Sequence, residues 1–167
     1  WSSDIPMIYF RSDYSQGAHP DVMDALVKTN AEHTDGYGED VHCRNASDMI
    51  RALAGDDSLN VHMMVGGTPC NITLIAAALR PYEAVISAKT GHIYVHETGG
   101  VEGTGHRVIA VEGINGKLTP ALIEKTVNEY EDEHMPLPKM VYLSQPTETG
   151  SLYSRNELEA ISLLCRE

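Results

Sequence analysis

Two short clusters carry residue types whose spacing could do chemistry. The first is Val65-Gly66-Gly67-Thr68-Pro69-Cys70-Asn71. An apolar run, Val61-His62-Met63-Met64-Val65, leads into it, and a run with helical spacing, Ile72 to Leu79, leads out. That pattern predicts a strand, a tight turn and a helix. Two glycines let the backbone turn sharply and approach an anion closely. Thr68 is placed to cap the helix, and Pro69 suits its first position. A helix start presents free N–H groups and a partial positive charge, which together favour phosphate. Pro69 has no N–H, so Gly67, Thr68 and Cys70 are left to donate. An ordinary strand-to-helix turn would use the same residues.

The second cluster is Gly91-His92-Ile93-Tyr94-Val95-His96-Glu97-Thr98-Gly99-Gly100. His92 follows a predicted strand and a glycine, at the strand end where α/β proteins gather ligands. An imidazole there either stacks on a flat ring or moves a proton, although a surface histidine reads the same way. Histidines four apart share a face only on a helix, and Ile93-Tyr94-Val95 favours a strand, so no metal site is expected.

Other polar groups sit at predicted strand ends and loops. Arg11-Ser12-Asp13-Tyr14 ends a first strand, where Ser12 or Arg11 could hold a substrate carboxylate or simply form a turn. Tyr37-Gly38-Glu39-Asp40 and Gln145-Pro146-Thr147-Glu148 lie on loops. Lys89, just before His92, reads as a solvated loop lysine rather than a covalent catalyst.

The elements that must position these groups alternate. Strands are expected at 7–10, 61–65, 84–87, 107–111 and 139–143, the first of them Met7-Ile8-Tyr9-Phe10. Helices are expected from Pro20 to about Asn30, after the loop Asp35–Asp40 to about Ala54 with Gly55 closing it, through 72–79, and from Thr119-Pro120 to about Glu133. Asn115-Gly116 is a turn, and Ser154-Arg155-Asn156-Glu157 is a capping box opening the last helix. Short apolar strands separated by helices predict an α/β fold, a mostly parallel sheet with helices on both faces. No repeat, linker or low-complexity segment interrupts the 167 residues, so one domain is expected.

Composition narrows the function classes. Hydrophobic content is 42% and charged content 22%, which suits a soluble globular domain. A net charge of −12 argues against nucleic acid or anionic membrane as partner, but not against a phosphate held by backbone groups. Cys43, Cys70 and Cys165 form neither a disulfide framework nor a zinc pattern, which points to a reducing, cytoplasmic setting. Two glycosylation sequons, at Asn45 and Asn71, read as chance matches there. Residues 1–6 lack the basic and apolar regions of a signal peptide, and no segment is apolar for long enough to span a membrane. The last helix stops at Arg166-Glu167 where an alternating pattern calls for another strand, so a cut chain is expected.

Taken in order, Arg11-Ser12-Asp13, Tyr37-Gly38-Glu39-Asp40, Gly66-Gly67-Thr68 with Asn71, and Gly91-His92 through Glu97-Thr98-Gly99-Gly100 resemble low-specificity L-threonine aldolases. These belong with the β-eliminating lyases among fold-type-I pyridoxal-phosphate enzymes. The resemblance runs from about Ile8 to the end. It implies that 1–167 is the N-terminal part of the large, cofactor-binding domain, with no second domain in this chain.

The resemblance implies roles. Gly67 and Thr68 would bind the cofactor phosphate through main-chain N–H groups. His92 would lie over the pyridine ring and serve as a base. Ser12 would help to hold the substrate carboxylate, and Tyr37 would lie near the site at a subunit interface of a homodimer or homotetramer. The activity implied is cleavage of a β-hydroxy amino acid, L-threonine, to glycine and an aldehyde. The alternatives are β-elimination on another amino acid, or a non-catalytic, anion-binding piece. The family's cofactor-linking lysine and the aspartate for the pyridine nitrogen fall beyond Glu167, so residues 1–167 alone are expected to be inactive and aggregation-prone. Many members carry Thr-His after the strand matching 139–143, whereas here Glu148 follows Thr147. Pro69 also departs from the usual turn.

Overall fold

A single strand, Glu83–Ala88 (β1), organises the larger part of the molecule. Its side chains alternate between two apolar cores, as a pleat requires. Ala84, Ile86 and Ala88 join Ile109, Leu118, Ile123, Tyr153 and Ile161 in one core, and Val85 joins Ile75, Leu79, Ile93, Val101 and Val108 in the other. A strand buried on both faces must lie inside a parallel sheet with helices on each side, and it does. β1 is the middle strand, hydrogen-bonded in parallel to Arg107–Val111 (β2) and to Leu137–Tyr142 (β3), in the order β2-β1-β3.

The structure is a computed structural model and describes Tyr9, Ser12 and residues 14–166. It divides into two compact units, residues 1–63 and 64–167.

In the second unit the elements follow the sequence pattern closely. The helix Gly67–Ala78 precedes β1, and a single helical turn, His92–Val95, follows it. After β2, Asn115 and Gly116 both take positive φ, and Ile114 and Lys117 pair across them, which is the two-residue turn an Asn-Gly pair favours. The helix Pro120–Glu129 begins with Thr119 accepting from the Leu122 N–H. It stops short of the expected 133; Asp132 instead accepts from the His134 N–H, a local bond that competes with helix. β3 starts two residues earlier than expected. Ala84 pairs with Pro138 and Val85 with Met140, so Lys139 is extra. Proline cannot donate to the ladder, and the register shifts there. The helix Arg155–Leu164 carries the complete capping box, Ser154 and Glu157 bonding reciprocally.

In the first unit, Pro20–Thr29 and Val41–Ala54 are helices. Asp40 caps the second through the Cys43 N–H, and Gly55, in the left-handed region, closes it. Neither buries a residue; Val22, Leu26, Val27, Met49 and Leu53 are exposed. The expected strand at 7–10 lies outside the described residues, Tyr9 apart. Residues 61–65 form no strand, and Val65 is 97% exposed. Apolar composition supplies something to bury but no ladder partner, and a strand needs both. No helix among the described residues is long and apolar enough to cross a membrane.

Numbering the helices in chain order gives α1 (Pro20–Thr29), α2 (Val41–Ala54), α3 (Gly67–Ala78), α4 (His92–Val95), α5 (Pro120–Glu129) and α6 (Arg155–Leu164). α6 is pinned to the loop before α5. Lys117 Nζ reaches Glu157 and also donates to the Leu152 carbonyl at 3.3 Å. Lys117, then the Ser154 N–H and hydroxyl, hold the Glu157 carboxyl down to about 2 from its ordinary 4.5. A depressed carboxylate stabilises the fold above its unfolded pKa and loses that contribution as pH falls through its folded one. Wild-type protein should therefore exceed Glu157→Gln in stability at neutral pH, with the gap closing between about pH 4.5 and about 2. Urea midpoints across that range check this; a gap independent of pH refutes it.

Candidate functional site

α3 opens with Gly67, Thr68 and Pro69 as its first three residues, and its N-cap is Gly66, not Thr68 as expected. Gly66 adopts an extended backbone, φ 163° and ψ 170°, and no side chain caps the helix. Thr68 cannot cap because the helix already starts at Gly67, with its N-cap at Gly66, two residues earlier. Cys70 N–H donates to the Gly66 carbonyl at 3.2 Å, so it belongs to the helix ladder. That leaves Gly67 and Thr68, whose amides find no acceptor among the described residues. A Cβ built on Gly67 would meet nothing within 4 Å, so the helix start is open to an approaching group.

The corner after β1 is tight. Gly91 N–H donates to the Ala88 carbonyl at 2.7 Å. A Cβ on Gly91 would press on Ser87 Oγ and lie 2.9 Å from the Ala88 carbonyl oxygen, so only glycine lets the chain turn this closely. The next residues form α4, not the expected strand. Ile93-Tyr94-Val95 has strand propensity, but Tyr94 and Val95 N–H groups both bond back to the Gly91 carbonyl, and no sheet edge accepts them. Tertiary context overrides a weak local preference. At the helix start, the His92 N–H donates to Glu148 Oε1 at 2.6 Å, and Glu148 also accepts from Ser144 Oγ at 2.6 Å. The loop carrying Glu148 thus supplies the cap that Gly91 lacks.

Glu97, two residues past the end of α4, joins the two clusters. Its side chain is 0% exposed. Oε1 accepts from Asn71 Nδ2 at 2.7 Å and from His92 Nδ1 at 2.8 Å. Asn71 lies three residues after Thr68, on the same face of α3. The His92 ring is therefore tied, through one carboxylate, to the face of α3 that begins at Thr68. His92 itself is 45% exposed, so one side of its ring is open. Glu97 Oε2 is buried and has no hydrogen-bond partner among the described residues.

The backbone at Glu97 is fixed as firmly as its carboxylate. Gly100 N–H bonds to the Glu97 carbonyl at 2.9 Å across Thr98 and Gly99, both at positive φ. Positive φ is unfavourable for a β-branched residue such as Thr98, at a cost of order 1–3 kcal/mol, and surrounding structure must impose it. Gly100 packs on α3, where a Cβ would stand 2.7 Å from Ile72 Cδ1.

His92 and His96 share a helical face after all, with ring centroids 5.4 Å apart. Among the described residues no three possible metal ligands come together. Lys89 Nζ pairs with Glu112 at 3.2 Å on the surface. Ser12 and Tyr37 belong to the first unit. Ser12 Oγ accepts from the Tyr14 N–H at 3.4 Å, and Tyr37 is fully exposed, with φ 61°. Glu97 and Glu148 were not singled out by sequence as structural partners of His92. An acidic residue five positions after a histidine gives no signal unless the intervening turn is known to be helical.

Replacing Gly91 by alanine should overpack the β1–α4 corner and cost about 1–3 kcal/mol. It would appear as a lower urea midpoint with an unchanged slope. An unchanged midpoint would mean that the corner relaxes freely.

Comparison with known proteins bears on this arrangement directly. The family model described as "Beta-eliminating lyase" matches residues 9–167. The "Low specificity L-threonine aldolase" of Pseudomonas aeruginosa is 36% identical over 160 residues, covering 95% of this chain and 46% of that protein. The protein of the same name from a Pseudomonas species is 34% identical with the same coverage. This chain thus spans about half the length of the curated relatives it matches. Among solved structures, a threonine aldolase from Leishmania major superposes with a TM-score of 0.91 at 44% identity, over 93% of this chain and 45% of that one. An aspartate aminotransferase from Thermus thermophilus, at 20% identity and a TM-score of 0.64 over 87% of this chain and 38% of that one, shares the fold. With nearly every described residue inside the matched region, the chain belongs to the β-eliminating lyase family.

Proposed function

We propose that the protein is a pyridoxal-phosphate-dependent lyase of the threonine aldolase type, cleaving a β-hydroxy amino acid such as L-threonine to glycine and an aldehyde. The observation that carries this reading is the tie from His92 through Glu97 to Asn71. It joins a half-open imidazole to the face of a helix whose first amides are free, a fitting arrangement for a flat ring bearing a phosphate. The names of the relatives at 36% and 34% identity support the same reading.

The residues present fit the cofactor. The open Gly67 backbone and the free amides of Gly67 and Thr68 would hold its phosphate, with the α3 dipole adding to the attraction. Pyridoxal phosphate, when bound, supplies an electron sink for breaking a bond at Cα. The His92 ring would lie over the pyridine. A carboxylate only accepts, so Nδ1 carries the proton shared with Glu97, and Nε2 has the lone pair that could take up a proton and return it. Ser12 would hold the substrate carboxylate, and Tyr37 would reach the site from a subunit interface. The cytoplasmic, homo-oligomeric enzyme in this reading has ample apolar surface for assembly on α1 and α2. The chain is part of its large domain.

Product analysis separates cleavage from elimination. Incubation of the cofactor-loaded full-length protein with L-threonine should release glycine and acetaldehyde; 2-oxobutyrate and ammonia would mark β-elimination instead. Gly67→Leu tests the phosphate site. A Cβ at this position would meet nothing within 4 Å, so the fold should hold while cofactor affinity drops by about tenfold or more, that is about 1.4 kcal/mol or more. Equal affinity, by absorbance titration, would place the phosphate elsewhere.

A further inference from the structure

We infer that Glu97 is a positioning residue that fixes His92 in one ring orientation and one tautomer, Nδ1–H, leaving Nε2 as the working nitrogen. What Nε2 works on rests on the proposed lyase reading; the tautomer itself does not.

Three features converge on this role. First, the carboxylate is entirely buried while the ring it holds is half exposed, so the partner enclosed by protein sets the orientation of the one open to solvent. A buried carboxylate needs donors, and here Asn71 and His92 are the donors on one oxygen. Second, Glu97 cannot move aside. Its χ angles are constrained by the Asn71 bond to α3, and its backbone by the positive-φ turn through Thr98 and Gly99, whose far end Gly100 is packed against Ile72. Third, His92 is held from its other side. Its own N–H is bound by Glu148, so backbone and ring are each anchored to a carboxylate from a different segment. The titratable groups facing His92 are Glu97 at Nδ1, Glu148 at its N–H and the His96 ring at 5.4 Å. Among the described residues only Glu97 bonds a His92 ring nitrogen, so it selects which nitrogen keeps the lone pair.

A plainer alternative is that Glu97 only staples its loop to α3 through Asn71. The two differ in whether Glu97 acts through His92. The experiment uses the full-length protein and four variants: Glu97→Gln, Glu97→Ala, His92→Asn, and His92→Asn with Glu97→Ala. In cofactor-free protein carrying imidazole-¹⁵N histidine, the His92 signals, identified by their loss in His92→Asn, should show Nδ1 protonated. Glu97→Gln, which keeps an acceptor oxygen, should preserve that tautomer. Glu97→Ala should mix or reverse it. With cofactor and L-threonine, Glu97→Ala should lower kcat by about 10–100-fold, as loss of an orienting outer-shell partner does, with KM changed by about threefold at most. In the His92→Asn background the same change should cost about twofold or less, since the residue it orients is gone.

An Nε2–H tautomer in the wild type overturns the inference, as does a tautomer indifferent to Glu97→Ala. Equal losses of kcat in both backgrounds also overturn it and leave the staple. If Glu97→Ala does not fold, the wild-type and Glu97→Gln spectra decide. A wild-type enzyme that does not cleave threonine refutes the proposed reaction, while the tautomer result still stands or falls alone.

Discussion

The buried carboxylate of Glu97 is the contact on which the site's geometry depends. Carboxylates are seldom fully buried, because removal from water is costly unless hydrogen bonds replace the lost hydration. Asn71 and His92 provide those bonds on Oε1. The cost of burial therefore enforces the arrangement, since moving either donor leaves a buried charge less satisfied. Oε2 has no partner among the described residues, so little redundancy remains. A side chain that must be satisfied by two others fixes both of them, which is how a loop residue comes to align a helix face and an imidazole.

That contact has a frame to work against only because β1 is buried on both sides. Val85, in the second core, packs with Ile75 of α3, Ile93 of α4 and Val101 beyond them. The same apolar cluster that covers one face of the sheet thus seats both elements of the site. Gly91 and Gly100 bracket the segment between them, one where the chain leaves β1 and one where it meets α3. Both allow close approach, because backbone or side-chain atoms occupy the space where a Cβ would stand. The polar contacts then set orientation over distances that packing has already established.

Most of this frame was legible in the sequence. β2 was expected at 107–111 and is found there; β1 is one residue longer at each end than its apolar run. Gly55, Thr119-Pro120, Asn115-Gly116 and the Ser154–Glu157 box acted as local signals because each one satisfies backbone groups without help from distant residues. The failures share the opposite property. Residues 61–65 have strand composition but no ladder partner. Ile93-Tyr94-Val95 has strand propensity but starts at a carbonyl, Gly91, that both Tyr94 and Val95 can reach. In the candidate site, the sequence singled out Gly67, Thr68 and His92, and the structure links His92 to α3, the helix that carries the other two. Glu97 and Glu148 were not legible, since their partners lie 26 and 56 residues away in sequence. The strained φ of Thr98 leaves no mark in a residue type that normally avoids it.

The charge of the chain bears on how such a site could hold an anion. A net charge of −12 makes the long-range field unfavourable to phosphate. At physiological salt, however, exposed charges are largely screened beyond about 8 Å, so local groups decide. The acidic side chain of Glu97 is buried in the site, and its Oε1 is already engaged by Asn71 and His92. Free amides at Gly67 and Thr68 carry the partial positive end of α3, a fixed dipole that needs no side-chain cation. Pro69 removes one donor from that end, and Cys70 spends its N–H within the helix. Two amides and a dipole make a modest cradle, and on the proposed reading the ring contacts of His92 must add the rest of the affinity. On that reading the carboxylate held by Asn71 and His92 would also let a weak cradle suffice, because it would hold the second point of attachment in place before the ligand arrives.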